Sequence, residues 1–164
     1  MNHAAKAFPP IFAAIMSRIE RYRKLLGVTE HAELKDLKTI YRNSMKDCHP
    51  DKFQDNEDEK LAAEERSKKV IEAYHFLVSI APETIEATFE QYNETINEAS
   101  IEDFQYKGVT LSIDFSDGNT YEYFDVPKAT YVKLVNAPSQ ARFARRHICN
   151  SFVYRSVNKL VTAE

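Results

Sequence analysis

The chain has 164 residues, 43% of them hydrophobic and 29% charged, with a formal net charge of −3. That length allows one medium domain or two small ones, and the composition is that of an ordinary soluble globular protein. The near balance of charge singles out no partner, no apolar run approaches the roughly 18 residues of a membrane span, and no secretory signal is visible, so a cytoplasmic location without membrane contact is expected.

The first hundred residues read as helices. Pro10 suits a first helical turn. After it Ile11, Phe12, Ile15, Met16, Ile19 and Tyr22 recur at helical steps, and Gly27 closes that element. A second helix is predicted from about Glu33 to Cys48, with Leu34, Leu37, Tyr41, Met45 and Cys48 on one side. Its other side carries Lys35, Lys38, Arg42 and Lys46 at steps of three, four and four, a single basic stripe. His49-Pro50 stops the helix, because a residue before proline is pushed out of the helical region. Phe53 to Glu59 is a polar loop. A long helix follows with Leu61, Val70, Ile71, Ala73, Tyr74, Leu77 and Val78 inward, until Ala81-Pro82 breaks it. The next helix has Ile85, Phe89, Tyr92 and Ile96 as its apolar positions and Glu83, Glu86, Glu90, Glu94 and Glu98 as an acidic face.

The period changes near Ser100. Val109, Leu111, Ile113 and Phe115 alternate with polar residues, as do Tyr121, Tyr123 and Val126, and Lys107-Gly108 and Asp117-Gly118-Asn119 read as hairpin turns. After Pro127 the chain returns to helix through Tyr131, Leu134 and Val135, breaks at Ala137-Pro138-Ser139, and ends on a last helix to about Cys149. From Asp125 onward seven basic residues (Lys128, Lys133, Arg142, Arg145, Arg146, Arg155 and Lys159) face two acidic ones. The expected fold is mainly α. An all-helical hairpin domain with an N-terminal extension takes residues 1–81, a connecting acidic helix 82–99, and a small α+β domain 100–164. Cys48 and Cys149 are far apart and share no metal spacing, so reduced thiols and no metal or cofactor are expected.

Residues Tyr22 to Ser79 resemble the J-domain family. The likeness rests on Leu25-Leu26-Gly27-Val28, on Tyr41 eight residues before the histidine, on His49-Pro50-Asp51, and on Val70, Ala73-Tyr74 and Leu77. The resemblance implies a helical hairpin that docks on a DnaK-type heat-shock chaperone and stimulates its ATPase. His49, Pro50 and Asp51 would make the decisive contact, with Lys35, Lys38, Arg42, Lys46 and Lys52 in the docking face. A proline between histidine and aspartate stiffens the loop, and rigid presentation lowers the ordering cost of binding. Asp51 offers a carboxylate best matched by an arginine. A basic stripe would steer approach to an acidic surface. The other readings are a plain helix-ending turn and a solvated helix face. The segment departs from the family at Asp47, Cys48 and Asn43, which makes the second helix less basic than a typical one and points to weaker or selective chaperone binding, and at Ser67, which points to a less tightly packed third helix. Cys48, His49 and Asp51 nearly adjoin, yet neighbouring residues project apart while a nucleophile and its base must meet, so no enzyme is expected.

Residues Ser100 to Val157 resemble the KTSC domain, through Tyr106, Leu111 to Phe115, Asp117-Gly118, Tyr121-Glu122-Tyr123, Val126-Pro127, Tyr131, Ala137-Pro138-Ser139 and Phe143 to Ile148. The likeness implies a small α+β domain, expected as a three-stranded antiparallel sheet with two helices, for which RNA binding has been suggested. Tyr121 and Tyr123 share one strand face and could stack bases, and Arg142, Arg145, Arg146, His147 and Arg155 could track phosphates. The alternative is that both tyrosines anchor the sheet on its helices. The expected function is a co-chaperone whose second module targets a client protein or RNA. The rival is an RNA-binding adaptor whose J-like half is a non-stimulating scaffold.

Overall fold

The computed structural model describes residues 17–157. The stripe expected from Ile11 to Met16, and Lys159, lie outside them. In chain order the elements are α1 (Arg18–Leu26), α2 (Leu34–Cys48), a 3-10 turn (Pro50–Phe53), α3 (Glu57–Ile80), α4 (Pro82–Glu98), β1 (Ile101–Lys107), β2 (Thr110–Phe115), β3 (Thr120–Tyr123), α5 (Lys128–Val135), α6 (Gln140–His147) and β4 (Tyr154–Ser156).

Local chemistry sets the helix ends. Ser17 accepts the amide of Glu20 at the start of α1, and Gly27 ends it at φ 68°, a left-handed conformation that glycine adopts without a Cβ clash. Asn56 caps α3 by accepting from Asp58 and Glu59. The amide of Leu34, at the start of α2, donates to Glu83 Oε1 at 3.0 Å, so the first turn of α4 caps a helix 49 residues earlier. Helices α1, α2 and α3 share a core of Ile19, Leu26, Leu37, Ala73, Phe76, Leu77 and Ala81.

The strands form one antiparallel sheet in the order β1-β2-β3-β4. The expected sheet had three strands; the fourth is the three-residue β4, which is too short to show a period in the sequence. One face packs on α4, α5 and α6. There Tyr92, Ile96, Leu111, Ile113, Tyr121, Tyr123, Leu134, Ala144 and Ile148 make a second core. Helix α4 therefore connects the halves and also builds the second one. Thr95 ties it to the β2–β3 turn, its hydroxyl donating to Asp117 while the Asn119 amide donates to Thr95.

The other face of β3 and β4 packs on the helical half. Alternation sends Tyr121 and Tyr123 to the second core and Glu122 and Phe124 to the opposite side. Phe124 is 2% exposed and meets Phe76 edge-on, ring centres 5.0 Å apart. The guanidinium of Arg18 lies 4.9 Å from the Phe76 ring centre and that of Arg155 lies 4.8 Å from it. Arg155 Nε donates to Glu122 Oε2 at 2.7 Å, and Arg18 stands 3.8 Å from the same oxygen. Two cations over one ring would repel, and the shared carboxylate holds them there. Asp125 follows at φ 59°, a left-handed conformation that aspartate tolerates better than most residues and that turns the chain away from the seam.

Candidate functional site

The hairpin of α2 and α3 holds His49, Pro50 and Asp51 at its tip. His49 leaves the helix at φ −67°, ψ 129°, as a residue before proline must. Its carbonyl accepts the amide of Lys52 at 3.1 Å and its Nδ1 accepts the amide of Asp51 at 3.3 Å. The Asp51 carboxylate lies 3.4 Å from Nδ1 with its side chain 78% exposed, while that of His49 is 51% exposed. Both groups are open to a partner on a loop held by its own backbone bonds.

Lys35, Lys38, Arg42 and Lys46 are all exposed along α2, and Lys52 extends the line past the loop. Among the described residues Lys35 is the one of these held by an ion pair: its ammonium pairs with Glu33 at 3.0 Å, and that hydrogen bond raises its pKa. Tyr41 and Met45 floor a shallow groove beside the stripe, rimmed by Arg42, Lys46, His49 and Lys52. Tyr41 stacks on Tyr74 of α3, ring centres 4.2 Å apart, which fixes the groove floor to the hairpin. Cys48 is buried at 2% exposure, away from the exposed His49 and Asp51. Ser67 is buried and satisfies its hydroxyl on the Glu64 carbonyl.

The C-terminal residues expected to meet nucleic acid do not share a surface. Tyr121 and Tyr123 are 3% and 0% exposed, so no base can stack on either. The Tyr123 hydroxyl pairs with Tyr92 at 3.1 Å and donates to Cys149 Sγ at 3.4 Å, and burial pushes its pKa well up. Arg145 donates from Nε to the Ile96 carbonyl at 2.9 Å and from Nη2 to Asn97 at 3.0 Å. It caps the C-terminus of α4, where a cation also complements the helix dipole. Arg155 belongs to the seam described above. Only Arg142 and Arg146 remain as an exposed pair, one turn apart on α6. They border a groove with Pro138, Phe143 and His147.

Sequence reasoning missed the seam of Arg18, Phe76, Glu122 and Phe124. Its trace was Tyr123-Phe124: two successive aromatics on a strand place one on each face, so the outer face needs a cover.

Comparison with known proteins finds two family matches. Residues 21–84 match the DnaJ domain and residues 97–152 match the KTSC domain. The chain is 35% identical over 96 residues to the chaperone protein DnaJ of Halothermothrix orenii, covering 57% of this chain and 24% of that protein. It is 43% identical over 56 residues to DnaJ homolog subfamily B member 6 of Gallus gallus, covering 34% and 16%. It is 33% identical over 60 residues to the lysine–tRNA ligase of Trichormus variabilis, covering 35% and 11%. The chain thus spans about a tenth to a quarter of the length of these relatives. No solved structure matches it.

Proposed function

From a chain that carries a DnaJ domain at residues 21–84 and a KTSC domain at 97–152, we infer a two-module cytoplasmic co-chaperone. Its helical half docks on a DnaK-type heat-shock chaperone and stimulates that partner's ATPase through His49-Pro50-Asp51. ATP hydrolysis belongs to the partner, and this chain supplies contact and orientation. The observation that carries the reading is the exposed His49–Asp51 tip at the end of an exposed basic stripe. The seam supports it as well, because it lies on α1 and α3 and leaves the α2 face open. The experiment is the steady-state ATPase of the host's DnaK-type chaperone with and without the full chain. Stimulation is expected, and an unchanged rate at saturating chain rejects the reading.

Reversing Lys38 and Arg42 to glutamate is expected to slow association with the chaperone, since charge complementarity acts mainly on encounter. Stopped-flow rates should differ between wild type and variant at low salt. They should converge near 1 M, where the Debye length falls to about 3 Å. Equal rates at low salt would make the stripe a solvated face.

The second module selects the client or RNA on which the chaperone acts. RNA is favoured by one observation, the exposed Arg142–Arg146 pair beside the Phe143 and His147 rings. Single-stranded RNA bound there should show a salt slope of about −0.7 per phosphate contact. Arg142→Ala with Arg146→Ala should reduce that slope. If the folded full chain binds no mixed-sequence RNA at low salt, a protein client is the remaining reading. RNA binding without ATPase stimulation would instead favour the adaptor with a scaffold-like helical half.

A further inference from the structure

Two exposed helix faces of this chain carry one pattern with opposite charge. On α2, Lys38, Arg42 and Lys46 are exposed beside the apolar groove of Tyr41 and Met45. On α4, Glu86, Glu90, Glu94 and Glu98 are exposed and enter no ion pair among the described residues. Beside them Phe89 is 52% exposed, a large apolar ring open to solvent.

The match extends to phase. Tyr41 follows Lys38 by three residues and Phe89 follows Glu86 by three, so each aromatic flanks its charged stripe on the same side. Flanks of equal phase meet when two helices lie antiparallel and part when they lie parallel. With Phe89 set on Tyr41 in an antiparallel pair, Arg42 falls between Glu86 and Glu90, and Lys38 between Glu90 and Glu94. The chain's own α4 cannot take this place. The bond from Leu34 to Glu83 holds the N-termini of α2 and α4 together, whereas antiparallel docking needs them at opposite ends.

We propose that α4 of one copy docks antiparallel on α2 of a second copy, with Phe89 in the Tyr41–Met45 groove, and reciprocally, closing a twofold dimer. Burial of Phe89 and the row of opposed charges hold the pair jointly, because exposed ion pairs are individually weak, and the charges also supply register and orientation. The dimer covers the basic face of α2. Resting on the function inferred above, it keeps that face from the chaperone until the chaperone competes for it.

Sedimentation velocity of the full chain tests this without the chaperone. At low salt the mass is expected to rise with concentration from monomer towards dimer, and in about 1 M salt the rise should be strongly reduced, since screening there acts within about 3 Å. Lys38→Glu with Arg42→Glu should be monomeric, and so should Glu86→Lys with Glu90→Lys. A mixture of these two variants restores opposite charge at both seams and should dimerise. Phe89→Ser should be monomeric with an unchanged far-ultraviolet spectrum. A wild-type chain that stays monomeric at every concentration in low salt overturns the proposal. So does undiminished dimerisation of either charge variant alone, or a mixture that stays monomeric.

Discussion

His49→Gln and Asp51→Asn are each expected to abolish stimulation of the chaperone's ATPase while leaving this chain folded. The Asp51 side chain is 78% exposed, so within the free chain its charge makes little difference. In the complex it would meet a cation out of water, where removing one partner of a hydrogen-bonded charge pair costs about 2–5 kcal/mol. At about 1.4 kcal/mol per tenfold, that is a loss of roughly thirtyfold to more than a thousandfold. Asparagine keeps the size and one acceptor but loses the charge, so it isolates the electrostatic part. His49 is subtler: its Nδ1 holds the amide of Asp51, and Nε2 is the nitrogen left for a partner. Glutamine can replace one of those bonds but not the rigid ring that places both. Exposed substitutions of this kind usually shift stability by no more than about 0.5 kcal/mol. The measurement is the chaperone's ATPase rate against variant concentration, with a thermal melt of each variant alongside. Stimulation equal to wild type by both variants would remove the loop from the mechanism.

Phe124→Ala is the second change with a large expected effect. The side chain is 2% exposed and stands edge-on to Phe76. Phe→Ala in a packed core costs about 3–5 kcal/mol through lost transfer energy and the cavity left behind. For a chain of this size each 1 kcal/mol moves the melting temperature by about 2–4 °C, so a fall of about 6–20 °C is expected. The form of the melt should change too. The wild-type halves share the Phe76–Phe124 contact and the Arg155–Glu122 pair, and are expected to unfold in one transition. The variant keeps two separate cores and should unfold in two. Calorimetry of the full chain reads both quantities. A variant within about 1 kcal/mol of wild type, still melting in one step, would show that the seam does not couple the halves.

The same seam bears on function. Under the proposed function, a rigid join would fix the direction in which the second module faces when the loop is engaged. A flexible tether would only raise local concentration. Phe124→Ala should therefore disturb any client- or RNA-dependent step more than basal stimulation of the ATPase.

Much of this molecule is local, and that part was readable from residue order. The basic stripe of α2, its stop at His49-Pro50, the acidic face of α4 and the glycine at each turn are properties of neighbours three or four residues apart. Backbone geometry repeats on that scale, so periodicity reports it. Which face of a strand is buried, and which partner a charge finds, is not repeated locally. Tyr121 and Tyr123 share one face under either reading; only the packing of α4 put that face in a core, with Tyr92 reaching Tyr123 across 31 residues. Arg145 and Arg155 look alike in sequence. One caps a helix 49 residues away and the other pairs with Glu122, 33 residues away. Such contacts are selected by the free energy of the whole fold, because a half-buried guanidinium must be satisfied wherever an acceptor is brought to it. Residue order alone specifies the helical hairpin with its exposed loop; long-range packing welds the second module to α1 and α3 and makes its aromatic and basic residues mostly weld and core.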